Sequence, residues 1–226
     1  MNLSVATRIE NNESPSLQRF EIPGQIVAMP AWKRTMDIFG ASVGLLMLSP
    51  LLVLVSAAVM LDSRGAPFFR QRRIGRGGMP FLCWKFRSMH QGAERLQAQL
   101  NAYNEANGCI FKMRDDPRRT RVGKVLRRTS LDELPQLINV LLGQMSLVGP
   151  RPPVIPEVVQ YQPDELRRLA MVPGMTGLWQ VSRRGAFEFS EMVALDVEYG
   201  ERLTFRRDIQ ILLRTIPTVM FGRGSY

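Results

Sequence analysis

The sequence predicts an α+β fold: a small cytosolic domain of helices and short strands or hairpins, preceded by an N-terminal membrane helix that is proline-kinked and re-entrant. Three observations carry this reading. The stretch from Ile38 to Leu61 holds no charge, has Pro50 near its middle and is flanked by basic residues on both sides. Phe81-Leu-Cys-Trp-Lys-Phe86 follows a run of glycines, as a strand follows a turn. After residue 130 the chain returns several times to apolar residues at helical spacing.

Residues 1–30 are polar, carry Pro15, Pro23, Gly24 and Pro30 and show no sustained period, so they read as an irregular lead-in. Residues 31–62 form the membrane helix. Drawn straight, its uncharged part would reach roughly 36 Å, more than a hydrocarbon core of roughly 30 Å. A removable signal peptide fits poorly, because the segment begins well inside the chain and runs on into more basic sequence. Lys33 and Arg34 precede it, and Arg64, Arg70, Arg72, Arg73 and Arg76 follow. A single crossing would therefore leave one basic cluster outside, against the positive-inside rule. Pro50 has no amide to donate and crowds the carbonyl one turn back, which predicts a kink, and Ser49 can satisfy a freed backbone group. A helix that breaks there and returns through one leaflet answers both charge and kink. A kinked spanning helix and a buried hairpin are the competing arrangements.

Residues 63–226 form the catalytic domain. Its first part, to His90, carries only basic charge between Gly65, Gly75, Gly77, Gly78 and Pro80; these glycines match neither a Walker A nor a dinucleotide fingerprint. Residues 91–107, rich in Gln, Ala, Leu and Glu, predict an exposed helix ending near Gly108. Lys112 to Arg128 concentrates basic charge, most of it a solvated face. Leu134 to Leu142 has helical spacing, with Gly143 as its stop. Pro163 to Ala170 reads as a short helix and Met171 to Gln180 as a loop entering a strand. Phe189 to Tyr199 and Phe205 to Phe221 mix apolar residues with Arg206, Arg207 and Arg214, a pattern open both to packing on the core and to resting on anionic headgroups.

Composition narrows the partners. Thirty Lys and Arg stand against twenty Asp and Glu, a formal charge of +10, which selects nucleotides, phosphates, polyanions or an anionic membrane. His90 is the only histidine, which argues against histidine-rich zinc sites and His-dependent nucleophilic triads; it reads as a surface residue. Cys83 and Cys109 lack metal-ligand spacing and fit a reducing compartment.

The segment from Arg127 to Pro152 is the richest in chemistry. Asp132 and Glu133 lie between Arg127-Arg128 and Arg151, which Pro150 and Pro152 restrain. Two readings stand. Ser130-Leu-Asp-Glu133 satisfies a capping-box pattern, a plain helix start. Alternatively Pro135 opens the helix and leaves both acids in a preceding bend, where two carboxylates hold Mg²⁺, arginines grip phosphate oxygens and one carboxylate attacks phosphorus. The competing function is a non-catalytic basic membrane-surface module binding anionic lipid or nucleic acid. Aromatics make up 8 % of the chain and do not alternate with the arginines as base-stacking platforms, which disfavours nucleic acid.

These residues resemble the monotopic phosphoglycosyl transferases, or bacterial sugar transferases. The resemblance runs from Lys33-Arg-Thr-Met-Asp37 and Ser49-Pro50 through Arg73-Ile-Gly75, Lys85-Phe-Arg-Ser-Met89, Asp116-Pro-Arg118 and Thr120-Arg-Val-Gly123. Its most specific parts are Leu126 to Gln136 and Met145 to Pro152, followed by Pro173 to Gln180 and Asp196-Val-Glu-Tyr199. It implies transfer of a sugar 1-phosphate from a nucleoside diphosphate sugar, usually a UDP-sugar, to a polyprenol phosphate such as undecaprenyl phosphate, with release of UMP. This is the first membrane step of exopolysaccharide, O-antigen or other glycoconjugate synthesis. The implied place is the cytosolic face of a bacterial inner membrane.

By the same resemblance Asp132 is the nucleophile, and Glu133 shares with it a Mg²⁺ site. Arg127 and Arg151 take phosphate-binding positions, and Arg184 a substrate position. Lys85 and Arg87 are further candidates for substrate or lipid phosphate. A homo-oligomer is compatible with the family, and nucleic acid is not an expected partner. Two places depart from the family pattern. Gly143-Gln-Met-Ser146 has Gln144 where an aspartate is usual, and Ser182-Arg-Arg184 stands where Asn-Gly-Arg is common, so Arg183 and Arg184 compete for one role.

Overall fold

The computed structural model describes residues 20–105, 111, 113, 115–182 and 188–220. One long helix, α1 (Ala31–Asp62), lies along a body built from an antiparallel hairpin, a two-stranded parallel ribbon and shorter helices. The hairpin is β1 (Phe68–Ile74) and β2 (Pro80–Phe86), paired from Phe68 opposite Phe86 to Ile74 opposite Pro80. One-turn α2 (Gln97–Leu100), α3 (Arg121–Arg128) and α4 (Gln136–Leu141) follow. Next come β3 (Ser146–Val148), α5 (Ile155–Val158) and β4 (Gly174–Thr176), which pairs with β3 in parallel. The chain closes with α6 (Leu178–Ser182), α7 (Phe189–Glu201) and α8 (Phe205–Met220).

The mixture of helices and short strands is the α+β class expected. β2 covers the predicted strand, and α4 stops at Leu141, two residues before Gly143, whose φ of 76° suits a residue without Cβ. The exposed helix predicted over 91–107 is instead a chain of short pieces: 3₁₀ turns at Ala93–Leu96 and Asn101–Tyr103 on either side of α2. Leu96 and Tyr103 are exposed, so little apolar packing holds that segment to the body, and helix propensity alone is too weak to extend so short a helix. Pro163 to Ala170 yields a 3₁₀ helix at Glu165–Ala170. The described end of the lead-in is extended and attached: Phe20 N donates to Gly78 O, Val27 N donates to Ala170 O, and Phe20 joins an apolar cluster with Ile74, Val158, Leu169 and Phe189.

α1 is apolar on two faces. Ala41 packs with Leu137, Val140 and Met145, and Val55 and Val59 pack with Phe86 and Leu126. The opposite stripe, Phe39, Leu46, Met47, Val53, Leu54 and Leu61, is exposed, each at 67 % or more. A helix hydrophobic all round belongs either in a protein core or in lipid. This is the one helix among the described residues long and apolar enough to cross a membrane. Pro50 sits on the exposed stripe inside the helix, and Ser49 Oγ donates to Leu46 O at 2.8 Å, the carbonyl that Pro50 leaves without its amide partner.

Both ends of α1 are anchored in the same body. Lys33 Nζ donates to Asp208 Oδ2 (2.6 Å), to Tyr199 Oη (2.9 Å) and to Val148 O (2.9 Å). Arg34 caps α4 by donating to the carbonyls of Val140 and Leu141, both at 2.6 Å. At the far end, Asp62 accepts from Val122 N at 2.9 Å. In α8, Asp208 and Ile211 face the core, while Phe205, Arg206, Leu213, Arg214 and Ile216 face outward. Both readings of that amphipathic segment thus have a face.

Candidate active site

The hairpin supplies the floor of the site through strand alternation. Gln71 lies opposite Cys83 and Arg73 opposite Phe81, so Gln71 and Arg73 share one face with Phe81, Cys83 and Lys85. The other face turns Phe86 and Phe68 together, with rings stacked at 5.2 Å, and Phe86 packs against α1.

α3 supplies Arg127. Thr120 caps the helix by accepting from Gly123 N at 2.9 Å, and its own amide donates to Ser88 O. A Cβ on Gly123 would stand 1.9 Å from Ser88 O, so only glycine lets α3 sit this close to the chain after β2. That approach places Arg127 Nε 3.1 Å from Ser88 Oγ, to which it donates.

Between α3 and α4 the backbone reverses at Ser130, the one described non-glycine residue at positive φ (55°). Such a conformation is uncommon outside Gly, Asn and Asp and gathers at functional sites. A 3₁₀ turn, Leu131–Glu133, follows, and Pro135 stands just ahead of α4. Ser130 makes no side-chain cap, so the helix-start reading of this tetrapeptide gives way to the bend. Asp132 is 6 % exposed. Glu133 Oε1 is 2.6 Å from Lys85 Nζ, which ties the acid pair to β2.

The loop carrying Arg151 leaves β3 and is pinned by β4: Gly149 N donates to Thr176 O and Gly174 N to Pro150 O, both at 2.8 Å. Arg151 Nη1 lies 3.5 Å from Glu157 Oε2. The pocket so formed is lined by Arg73, Lys85, Glu133, Gln136, Arg151 and Gln180, among others. Burial pushes the Asp132 carboxyl up to about 6, and neighbouring Glu133 adds to this, while Lys85 and Arg127 oppose it. Glu133 differs: burial pushes it up, but the charge and hydrogen bond of Lys85, then Arg151 and Arg73, hold it below the usual carboxylate range. Two adjacent acids thus have separated proton affinities. Burial also draws Arg127 below its ordinary value, against the pull of Asp132.

Lys85, Glu133 and Arg151 line one pocket, while Asp132, next to Glu133, and Arg127, whose charge acts on Asp132, do not line it. Arg87 does not join them. Expected at a substrate or lipid phosphate, it is 8 % exposed and donates to the carbonyls of Val59, Ser63 and Arg64, capping α1 instead. Arg183 and Arg184 lie outside the described residues. Gln144 accepts from Asn139 Nδ2 at 2.7 Å, and Asn139 also binds Trp84 N and Leu82 O, so the residue replacing the usual acid serves a structural bond. Sequence reasoning passed over Arg73, Gln136 and Gln180 as pocket residues. For Arg73 the signal existed: with β1 and β2 paired, alternation puts it on the face of Lys85.

Among the described residues no cluster of three or more Asp, Glu, His or Cys forms a dedicated metal cage. The carboxylates that could hold Mg²⁺ here are Asp132 and Glu133, the latter already paired with Lys85, since Mg²⁺ is commonly held by one or two carboxylates plus substrate phosphates.

The site so far is one acid, Glu133, among Arg73, Lys85 and Arg151, with the buried Asp132 beside it, on a body that carries one long apolar helix. The chain belongs to the bacterial sugar transferases, whose family model matches residues 28–222. It is 44 % identical to the galactosyl transferase CpsE of Streptococcus agalactiae over 85 % of this chain and 43 % of that protein. It is 42 % identical to the exopolysaccharide production protein ExoY of Rhizobium meliloti over 86 % of this chain and 88 % of that protein. It is 40 % identical to the UDP-glucose:undecaprenyl-phosphate glucose-1-phosphate transferase of Caulobacter vibrioides, over 88 % and 74 % respectively. The chain thus spans less than half of CpsE but most of ExoY.

Proposed function

We propose that this chain is a sugar-1-phosphate transferase, passing a sugar 1-phosphate from a UDP-sugar to undecaprenyl phosphate in exopolysaccharide or related glycoconjugate synthesis. The reading is carried by one observation: Glu133, the neighbour of the buried Asp132, lines a pocket whose cations outnumber its acids, in a chain similar to enzymes named for this transfer. An Asp132 oxygen attacks the phosphorus that bears the sugar, and the bond from that phosphorus to the UMP oxygen breaks, so UMP leaves with the electron pair. An oxygen of the lipid phosphate then attacks the same phosphorus, and the Asp132 carboxylate is released. Lys85 fixes Glu133, Arg151 and Arg127 bind phosphate oxygens, and burial keeps water from the aspartyl phosphosugar. Mg²⁺, held by Asp132 and Glu133 with substrate phosphate, would offset the repulsion between anionic nucleophile and anionic diphosphate. Arg184, or Arg183, completes the substrate contacts in this reading.

The covalent scheme makes a forecast. With Mg²⁺ and a UDP-sugar but no lipid, the protein should release about one UMP per molecule and gain the mass of a sugar phosphate at Asp132. Release that waits for the lipid, with no adduct, would overturn it.

We also infer that α1 enters one leaflet of a bacterial inner membrane and returns, with the catalytic body on the cytosolic side. Lys33 and Arg34 at one end and Asp62 at the other bind the same body, which favours one side for both. α1 runs unbroken through Pro50 in this structure; in this reading the helix turns there on entering lipid, where Pro50 leaves the Leu46 carbonyl to Ser49. Single cysteines at Thr35 and Met60 should both react with an impermeant thiol reagent added from the cytosolic side. Reaction from opposite sides would establish a crossing helix.

A further inference from the structure

We propose that Arg73 is an additional substrate-binding residue, taking a phosphate oxygen of the nucleoside diphosphate beside Arg151 and Lys85; this rests on the function proposed above. Arg73 is 6 % exposed and lines the same pocket as Glu133, Lys85 and Arg151. Its fork is fixed from behind. Nε and Nη2 donate to Gln71 Oε1 at 3.1 and 2.8 Å, and Nη1 donates to Pro152 O at 2.5 Å. These bonds use three of the five guanidinium N–H groups.

What the residue lacks is a direct ion pair: Glu157 and Glu133 act on it only from a distance. Of the four other buried cations among the described residues, three have one: Lys33 has Asp208 at 2.6 Å, Arg118 has Asp116 at 2.6 Å and Arg168 has Asp196 at 2.7 Å; the fourth, Arg87, sits on the carbonyls at the negative end of the α1 dipole. Arg73 forms no ion pair with the described residues, and both of its acceptors, an amide and a peptide carbonyl, are neutral. A buried charge without a counter-charge is costly, and a neutral side chain could hold Pro152 O without that cost. An arriving diphosphate would supply the counter-charge. The register of the hairpin places Arg73 on the face of Lys85, and its bond to Pro152 sets it next to the Arg151 loop, so the three cations converge on one wall. A planar fork can hold a phosphate through two parallel bonds, which a lysine cannot reproduce.

The test measures UDP binding by calorimetry on the full chain in nanodiscs, together with kcat and KM for the UDP-sugar. Arg73→Gln should weaken UDP binding and raise KM by about ten- to a hundredfold, the loss expected for a charge-assisted contact, with kcat falling less. Arg73→Lys should lie between the two. Unchanged UDP affinity in variants that still melt cooperatively would overturn the proposal, as would a loss confined to kcat, which would make Arg73 a brace for the Arg151 loop. If Arg73→Gln does not fold, Arg73→Lys decides alone by the same criteria. Wild-type protein that neither binds UDP nor transfers a sugar phosphate would remove the proposed function itself, a different failure from a wild type that binds while the variants bind equally well.

Discussion

Asp132→Asn should abolish transfer and, at neutral pH, yield a more stable protein. The loss follows from the proposed chemistry: an amide cannot attack phosphorus and be released again, so turnover should fall by more than about a thousandfold, as when other enzymes lose a nucleophile. The gain in stability follows from burial. The Asp132 carboxyl is pushed up to about 6 from an ordinary 3.8. Below pH 3.8 it is protonated in both folded and unfolded chains. Between there and pH 6 the unfolded chain gives up its proton while the folded chain keeps it, so stability falls as pH rises through that window and stays lowered above it. The native protein thus gives up on the order of 2–3 kcal/mol at neutral pH to keep a carboxylate in the site. Asparagine carries no charge to bury, so the variant should melt higher than wild type at pH 7.5 and at the same temperature near pH 4. Detergent-solubilised protein followed by circular dichroism at both values would show this. A variant that loses activity and melts lower at pH 7.5 would mean that Asp132 holds the fold rather than bearing a strained charge.

The acid pair was legible in the sequence because it is local. Asp132, Glu133 and Pro135 lie within four positions, and the rules for proline at helix starts predict the bend that forms there. The stop at Gly143 and the strand from Pro80 to Phe86 are local in the same way. What the sequence hid depends on partners far along the chain. Arg34 reads as a membrane-flanking charge, yet its guanidinium caps α4 more than a hundred residues away. Arg87 looks like a phosphate ligand in Lys85-Phe-Arg-Ser-Met89, and only the tertiary fold shows it spent on the carbonyls that end α1. The parallel ribbon of Ser146–Val148 with Gly174–Thr176 is three residues long on each side, too short for any period to appear, although it is what pins the Arg151 loop. The register of the hairpin lies between these extremes: each strand is local, and only their pairing reveals the shared face of Arg73 and Lys85.

Lys33 tests whether that long-range wiring matters. Lys33→Met should destabilise the protein by about 3–5 kcal/mol, the usual cost of removing one partner of a buried ion pair. The three ammonium protons are fully used by Asp208, Tyr199 and Val148 O, and Tyr199 Oη donates in turn to Asp208 Oδ1 at 2.6 Å. Both charged side chains are nearly solvent-free, at 4 % and 0 % exposure. Methionine would fill the space of the lysine stem but leave the Asp208 carboxylate with a single phenol for company, in a site without water to take its charge. Against a total stability of about 5–15 kcal/mol for a domain, that is a large share. Lys33→Met with Asp208→Leu should recover most of the loss, because a buried ion pair exchanged whole for apolar side chains is often neutral. The network also carries a functional consequence. Val148 precedes Gly149-Pro150-Arg151, so the same bonds that hold the start of α1 hold the base of the Arg151 loop. The single variant should therefore lose transfer activity even at temperatures where it remains folded, and the double variant should regain stability more fully than turnover, since Val148 O then keeps only its longer bond from Tyr199 Oη, at 3.2 Å. Chemical denaturation of the three proteins in one detergent, with turnover measured on the same samples, separates the two effects. A single variant within about 1 kcal/mol of wild type would show that the ion pair contributes little to holding α1 on the body.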